Sequence, residues 1–378
     1  MGKKHRRRTL SRKQLRFRRQ SRPGANPAIV QAPIEAKPSR MHVLAYSPKQ
    51  FLDKDITDLA ALSGMAASHS VCWIDVAGLA DVGLVKQLGE KFDLHPLAIE
   101  DVMNLHQRAK VEPYEHSLFV IARLPQLIDG HFSSQQLSIF LRGNTVLTFQ
   151  EETSDWFEPV RERVRKSLER SRSIAPGFLV YALLDVVIDS YFPIVDALGD
   201  ELDEIEGLMA SGETRVVLGR IHQLLHELLL VRRTIRPHRD AINELIRDSS
   251  ERMDAETLFF LRDCADHTIQ LIELLEVYRE MCIDYRDFHL SLISNRMNEV
   301  MRGLTLVATV FMPLNLIAAI YGMNFADDSP YNMPELRWRF GYPAVLGLMV
   351  CVAVLTVVWF SRRGWLRPPD PDTSDGRE

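Results

Sequence analysis

A chain of 378 residues with 25% charged side chains and a mean hydropathy of −0.10 is too polar to lie mostly in lipid, and it indicates a soluble body with a small apolar part. Eleven of its 46 basic residues fall in residues 1–22, which contain no acid, so the remainder is acidic and favours a cation over nucleic acid as partner. The four cysteines form no CxxC pair, which argues against a disulfide framework and favours a reduced, cytosolic setting.

Residues 1–40 are predicted to form a disordered basic tail. Arginine and lysine are mixed there with serine, glutamine and proline, a composition that cannot bury enough apolar surface to fold. No apolar core follows the basic residues, so the segment does not read as a secretory signal. Phe17 is its only aromatic residue and no base-reading module follows, which argues against binding to nucleic acid. We expect the basic tail to lie near an anionic membrane surface.

Residues 41–152 are predicted to form a cytosolic α/β domain. Short apolar runs rich in β-branched and aromatic residues alternate with helical segments, and Gly143-Asn144 is a hairpin signal before the last run. The predicted strands cover residues 42–46, 70–76, 117–124, 137–142 and 145–149, and the predicted helices cover residues 81–92 and 96–105.

Residues 153–303 are predicted to form a helical stalk. Apolar residues recur at helical spacing over 176–209 and again over 216–235, where Pro237 is expected to interrupt the helix. The 65 residues between Pro237 and Gly303 contain neither glycine nor proline.

A single long helix is therefore predicted from about Asp254 to Tyr321. It would be roughly 100 Å long at 1.5 Å per residue. Such a helix cannot cover its own apolar stripe, so neighbouring helices or other subunits are expected to do so.

Only two apolar runs are predicted to cross a membrane. Transmembrane helix 1 covers residues 304–323 and transmembrane helix 2 covers residues 342–360. An outer loop at 324–341 separates them, and a cytosolic basic tail follows at 361–378. The positive-inside rule places both termini in the cytosol, because basic residues precede the first span and follow the second: Arg296, Arg302, Arg362, Arg363 and Arg367.

The first span has one polar face. At 100° per residue, six positions fall within an arc of about 120° that carries amide, thioether and small apolar groups but no charge. They are Asn298, Met301, Leu304, Ala308, Met312 and Asn315. Polar side chains in a membrane usually face protein or water, so this face predicts either a pore or a helix–helix contact through Asn315. Two spans cannot enclose a pore, and a pore therefore requires several copies of the chain.

A set of short motifs accompanies the two spans. Gly322-Met323-Asn324 directly follows Tyr321 at the end of the first span. The accompanying motifs are Asn298-Glu299-Val300-Met301, Met312-Pro313-Leu314, Met333-Pro334-Glu335-Leu336, Trp338, Gly341-Tyr342-Pro343 and, upstream, His95-Pro96-Leu97, Glu100-Asp101 and His106-Gln107-Arg108. Together they resemble the CorA family of magnesium channels and transporters, over roughly residues 41–366.

The resemblance implies an α+β membrane protein that assembles as a funnel-shaped homopentamer. Each subunit would have an N-terminal cytosolic α/β domain, a long helical stalk and two C-terminal transmembrane helices, with the six-residue arc lining the pore. Leu304 and Met312 would form a hydrophobic constriction that gates by dewetting. Gly322, Met323 and Asn324 would form the selectivity filter. Five Asn324 amide oxygens would hydrogen-bond to the hydration shell that Mg²⁺ sheds reluctantly.

The resemblance also implies gating by intracellular Mg²⁺ bound between the soluble domains of adjacent subunits. Asp101 and Asp263 match the family's ligands, and Asp266 lies nearby at helical spacing. Loss of this regulatory ion would leave carboxylates to repel one another across the interface, and the pore would open.

Three features depart from the family pattern. Asn315 stands at a pore position that is commonly threonine, so the polar ring is bulkier. The basic arm has no counterpart in the family. The outer loop is longer than in compact members, and acids near the mouth would concentrate divalent cations: Asp327, Asp328 and Glu335.

The predicted function is Mg²⁺ uptake by a multi-pass protein of the cytoplasmic membrane, with Co²⁺ and Ni²⁺ as further candidate ions. One alternative is a zinc transporter of the related ZntB type, against which the intact Gly-Met-Asn triplet argues. The other is a membrane-anchored sensor that conducts nothing, which would leave the polar face of the first span without a purpose. An enzyme is not expected, because the sequence contains no nucleophile–base pair, phosphate loop or metal-activated water site.

Overall fold

The computed structural model describes residues 36–48, 50–152, 155–170, 175–211, 214–248, 253–323, 333 and 338–365. The chain divides into two compact units, one up to Tyr285 and one from Arg286 onwards. The predicted disordered tail lies outside the described residues, apart from its last five positions.

The described residues form seven strands and nine helices. The strands are β1 (Arg40–Ser47), β2 (Gln50–Asp55), β3 (Val71–Ala77), β4 (Lys110–Pro113), β5 (Leu118–Ile128), β6 (His131–Arg142) and β7 (Thr145–Gln150). The helices are α1 (Ala60–Ser68), α2 (Val82–Lys91), α3 (Pro96–Met103), α4 (Glu158–Arg170), α5 (Pro176–Asp189), α6 (Phe192–Ala210), α7 (Thr214–Asp248), α8 (Ala255–Tyr321) and α9 (Gly341–Arg362).

The strands form one mixed sheet in the order β2-β1-β3-β7-β6-β5-β4. β3 and β7 run parallel, whereas the other neighbouring pairs are antiparallel. The β5–β6 hairpin turns at Asp129 and Gly130, whose φ angles of 53° and 78° suit a two-residue hairpin loop. The five predicted strands, the Gly143-Asn144 hairpin and both predicted helices of this region are confirmed.

Successive residues of a central strand point to opposite faces of this sheet. In β1, Val43 packs in the cluster that contains α2 and α3, while Leu44 packs in the cluster that contains α5, α6 and α7. Both side chains are fully buried. Because helices cover both faces, the inner strands carry near-continuous apolar runs, which made them detectable in the sequence.

A buried ion pair fastens α4 to the sheet. The Arg161 guanidinium donates to one carboxylate oxygen of Asp75 in β3 at 2.6 Å, and it lies 5.3 Å from the ring centroid of Trp73. The Thr148 hydroxyl and the Gln150 amide of β7 donate to the other oxygen at 2.6 and 2.7 Å. Since both carboxylate oxygens have donors, the fold avoids the large cost of an uncompensated buried charge.

The predicted helix over 176–209 is in fact two helices, α5 and α6. The chain breaks between Asp189 and Phe192, although helical apolar spacing continues across the break. Tyr191, at the break, is fully buried, and its hydroxyl donates to the carbonyl oxygen of Arg123 in β5 at 2.9 Å. This tertiary contact ends α5. Pro193 then starts α6 in its first turn, where a missing N–H costs nothing.

The expectation that Pro237 interrupts its helix is wrong, because α7 continues through it to Asp248. An internal proline costs about 3 kcal/mol, which packing of this turn offsets. The neighbouring His238 is fully buried; its Nδ1 donates to the Thr234 carbonyl at 3.0 Å, and its Nε2 accepts the backbone N–H of Arg123 at 2.9 Å.

The long helix predicted from about Asp254 to Tyr321 is confirmed as α8, which contains 67 residues. Asp254 caps its N-terminus, since its carboxylate accepts the backbone N–H of Thr257 at 2.8 Å.

Three described helical stretches, rather than the expected two, are long and apolar enough to cross a membrane. The additional stretch is Pro176–Ala210, in which 61% of the most apolar window is buried inside the chain, against 0% in α8 and 6% in α9. Its apolar side chains cover the sheet, so α8 and α9 remain the candidate spans.

Candidate ion pathway and regulatory site

α8 ends at the Gly-Met-Asn motif. The N–H of Gly322 donates to the carbonyl of Ala318 at 3.0 Å and that of Met323 to the carbonyl of Ile320 at 3.2 Å, which closes the last turn. A Cβ added at Gly322 would approach the Ala318 oxygen at 3.3 Å, so a larger residue would crowd this turn. Asn324 lies outside the described residues, as do the three predicted outer-mouth acids, Asp327, Asp328 and Glu335.

The six predicted pore-facing residues, which we call the pore arc, are all exposed in the single chain. The exposed fractions of Met301, Leu304 and Met312 are 57%, 64% and 70%. Less exposed positions of the same stretch form a stripe on the opposite side of the helix, at about 100° per residue. They are Arg302, Leu306, Val310, Pro313, Leu314, Ile317 and Tyr321. The described part of the chain therefore leaves the pore arc uncovered.

α9 has a single covered stripe as well. Its less exposed positions recur every three or four residues and are Gly341, Val345, Met349, Val352, Ala353, Thr356 and Phe360. Arg302 of α8 donates to the carbonyl of Gly364, just beyond α9, at 2.6 Å and lies 5.7 Å from the ring centroid of Trp365. The start of the first span and the end of the second are thus joined on the side of α8 that faces away from the pore arc.

The threonines of the first span bond to their own helix. The hydroxyl of Thr305 donates to the Met301 carbonyl at 2.8 Å, and that of Thr309 donates to the Thr305 carbonyl at 2.7 Å. The Asn315 amide has no hydrogen-bond partner among the described residues. An amide in a membrane needs partners for its donors and acceptor, so Asn315 requires water or a second chain.

Asp101, in α3, is already paired within the chain. The ammonium of Lys110 in β4 lies 2.5 Å from one carboxylate oxygen and Gln107 donates to the other at 2.7 Å. Lys110 also lies 2.5 Å from a carboxylate oxygen of Glu112. The Asp101 side chain keeps 20% of its surface exposed, so an ion that bound there would share the carboxylate with Lys110 or displace it. Sequence reasoning missed Lys110, because its strand was not predicted.

Asp263 lies on α8 with 61% of its side chain exposed. The His267 ring lies 4.0 Å from Asp263 and 3.8 Å from Asp189 of α5. One turn before Asp189, burial and the charge of Asp189 raise the pKa of Asp185. The surroundings of Asp263 are therefore more acidic than its own helix suggests. Spacing in the sequence gave no signal for Asp185 and Asp189, because they come from another helix.

The three predicted regulatory carboxylates form no metal site within one described chain. Among the described residues, no group of three or more His, Cys, Asp or Glu side chains is close enough to hold an ion. Asp263 and Asp266 are exposed oxygen donors of the kind that Mg²⁺ prefers, and Asp101 keeps one accessible edge. The residue types thus fit the ion, provided that a second chain completes the site.

Residues 68–363 match the model of a protein family described as CorA-like Mg²⁺ transporter protein. The chain is 38% identical over 328 residues to the cobalt/magnesium transport protein CorA of Thermotoga maritima, an alignment that covers 86% of this chain and 92% of the relative. It is 28% identical over 307 residues to the protein of the same name from Methanocaldococcus jannaschii, covering 79% and 92%.

A solved structure has the same architecture. The complete structure of the CorA magnesium transporter from Methanocaldococcus jannaschii matches with a TM-score of 0.73 and 25% identity, covering 86% of this chain and 98% of that chain. This match confirms the predicted fold class: a soluble N-terminal α/β domain, a long helix and C-terminal apolar helices. With a family model over residues 68–363 and a relative 38% identical across most of its length, the chain belongs to the CorA family of transport proteins.

Proposed function

We propose that the protein transports divalent cations, Mg²⁺ foremost and Co²⁺ with it, across a membrane. The observation that carries this proposal is the uncharged pore arc of α8, which the described chain leaves uncovered although it includes Asn298 and Asn315. Two relatives that share most of the chain are named cobalt/magnesium transport proteins, which supports the same two ions. Ni²⁺, of the same charge, is a further candidate.

The pore forms from the pore arcs of several chains around a common axis, in a homopentamer. The arc lies opposite the covered stripe of α8, and this geometry supports an arrangement in which α9 stays on the lipid side. Asn315 then finds water or a neighbouring Asn315 at the axis, which satisfies its amide. Leu304 and Met312, both largely exposed in the single chain, form the narrow apolar section that excludes water in the closed state.

Selectivity is assigned to the Gly322-Met323-Asn324 segment at the end of α8. Neutral amide oxygens of Asn324 accept hydrogen bonds from the water shell of Mg²⁺ and do not require the ion to shed it. A ring of carboxylates in their place would hold the ion too tightly for release. Asp327, Asp328 and Glu335 raise the local cation concentration at the mouth.

Regulation is assigned to Mg²⁺ bound between adjacent subunits by Asp101, Asp263 and Asp266. The bound ion offsets the repulsion of these carboxylates and holds the subunits together. When it leaves, the repulsion separates the subunits and favours the open pore. Asp263 and the pore arc belong to the same helix, α8, which supports a coupling between them.

The protein is placed in the cytoplasmic membrane with both termini in the cytosol. Arg302 before the first span and Arg362 and Arg363 after the second support this orientation through the positive-inside rule.

Mg²⁺ uptake into proteoliposomes tests the proposal. We expect Asn324→Ala to abolish uptake while the oligomer still assembles, and Asn332→Ala, in the same outer loop, to leave uptake near the wild-type rate. Undiminished uptake by Asn324→Ala would contradict the assignment of Gly322-Met323-Asn324 as the selectivity filter. Competition between Mg²⁺ and Zn²⁺ for uptake distinguishes a magnesium transporter from a zinc transporter. An absence of ion current when Mg²⁺ is low on the cytosolic side would favour a non-conducting sensor.

A further inference from the structure

A basic cleft lies between α7 and the segment that leads into β4. It has a volume of about 680 Å³, which is within the usual range of small-molecule sites, and it opens to solvent. The side chains that line it are Arg108, Ala109, Lys110, Leu229, Arg232, Arg233, Arg236, Pro237, Asp240, Ala241 and Glu244. Five of them are cationic and two are acidic.

The positive charge of the cleft is only partly neutralised from within. Asp240 is paired with Arg239, which lies outside the lining, at 2.9 Å. Two of the five cations have acidic partners outside the lining: Lys110 lies 2.5 Å from both Asp101 and Glu112, and Arg232 lies 2.8 Å from Glu276. Arg108 and Arg236 are exposed, and neither forms an ion pair with a described residue. Clustered like charges destabilise a fold unless an anion offsets them, so this cleft is arranged to receive negative charge.

We propose that the cleft binds a phosphorylated organic anion of the nucleoside polyphosphate class. Guanidinium groups bind phosphate oxygens through two parallel hydrogen bonds, and arginines from both sides of the cleft can contact successive phosphates. Leu229, Pro237 and Ala241 add an apolar wall against which a flat base can pack. A cleft of this volume, lined by cations from two separate segments of the chain, suits a small polyanion.

Lys110 connects this cleft to the proposed regulatory site. It lines the cleft and also bonds to Asp101 at 2.5 Å. An anion in the cleft draws on the same ammonium that neutralises Asp101, and so leaves Asp101 more available to a cation. This link rests on the proposed regulation of transport, whereas binding of the anion does not.

Titration calorimetry on the full-length protein in detergent tests the site, with ATP as the probe and EDTA present to remove divalent ions. We expect one saturable site per chain, weakened by added salt. The Arg108→Gln/Arg236→Gln double variant should bind ATP at least about tenfold more weakly, since it lacks two guanidinium groups that would donate charged hydrogen bonds to the phosphates. AMP should bind more weakly than ATP, because it presents one phosphate to the same cations.

Arg247→Gln is the matched control, an exposed arginine on α7 outside the cleft that should not change binding. The single variant Arg108→Gln changes a residue that lies outside any helix or strand, so it keeps the test valid if the double variant unfolds. The proposal is overturned if wild type shows no saturable ATP binding or if the double variant binds ATP as wild type does. If wild type binds no ATP and the double variant also loses its oligomeric state, the cleft instead contacts a second copy of the chain.

Discussion

At the scale of single residues, the ammonium of Lys110 lies beside Asp101, at the position that the proposed regulatory cation would take. Its ammonium lies 2.5 Å from the carboxylate, so any Mg²⁺ that binds there competes with a charge belonging to the protein. We expect Lys110→Gln to lower the Mg²⁺ concentration for half-maximal thermal stabilisation of the full-length protein by about tenfold, because a charged hydrogen bond contributes about 1.5–3 kcal/mol.

Lys86→Gln is the control for that measurement, because Lys86 is exposed on α2 and forms no ion pair with a described residue. The Asp101→Asn/Lys110→Gln double variant should lose the gain in Mg²⁺ affinity, which shows that Lys110 acts through Asp101. An unchanged Mg²⁺ midpoint in Lys110→Gln would contradict the competition.

Two buried groups around Arg123 respond to acid in opposite directions. Burial lowers the pKa of His238 to about 4. Between about pH 6.5 and pH 4 the unfolded chain therefore binds a proton at this histidine and the folded chain does not, so the free energy of unfolding falls on acidification. Burial raises the pKa of Glu151 to about 7, partly offset by the Arg123 charge 3.7 Å away. Between about pH 7 and 4.5 the folded chain therefore takes up the proton first, and stability rises on acidification.

We expect these two contributions to cancel in part in the wild type, and Glu151→Gln to expose the acid sensitivity of His238. The melting temperature of Glu151→Gln should therefore fall more between pH 7 and pH 5 than that of the wild type. Glu152→Gln, at the neighbouring exposed position, should behave as wild type. Equal falls in Glu151→Gln and wild type would refute the opposition.

At the scale of elements, the parts that sequence predicted well have patterns that burial imposes locally. The inner strands are apolar because helices cover both faces of the sheet, and α8 contains a long stretch without glycine or proline after its cap at Asp254. β2, α1 and β4 were missed, because β2 and β4 are short, partly exposed edge strands and α1 buries one residue, Leu62.

The mistaken helix boundaries share a different cause. The break at Tyr191 and the continuation of α7 through Pro237 both depend on contacts with Arg123 in β5. Those contacts join residues 68 and 115 positions apart, which no local pattern can reveal. In the candidate site, the pore arc could be predicted from the sequence, because it follows from spacing along one helix. Lys110 beside Asp101, and Asp189 near Asp263, follow only from the fold.

The pore arc makes a prediction about water access along α8. Met312→Cys should react with a charged, membrane-impermeant thiol reagent, whereas Val307→Cys, equally apolar but outside the arc, should react at least about tenfold more slowly because lipid excludes the charge. Both are made in the Cys351→Ser background, because the other three cysteines are buried. Similar rates at the two positions would contradict a pore along this face and favour a helix–helix contact.

At the scale of the whole molecule, the charges of the soluble body and the neutrality of the pore arc complement each other. The body outside the basic tail carries an excess of acid, whereas the pore arc has no charged residue. Under the proposed function, a divalent ion is attracted by carboxylates on the body and meets only dipoles and apolar groups along the pore arc. In the proposed mechanism, binding of the regulatory ion at Asp263 and passage of the transported ion past Asn315 are therefore controlled separately.

That separation predicts how Asp263 affects flux. Wild-type Mg²⁺ flux into proteoliposomes should fall as Mg²⁺ on the cytosolic side rises, because the regulatory ion offsets repulsion between subunits. Asp263→Ala removes one ligand, so we expect its flux to stay high until Mg²⁺ is at least about tenfold more concentrated, a loss of about 1.4 kcal/mol of binding. Asp287→Ala, an exposed acid of α8 paired with Arg286, should keep the wild-type response. If Asp263→Ala closes at the wild-type Mg²⁺ concentration while Asn324→Ala abolishes uptake, conduction stands and regulation through Asp263 does not.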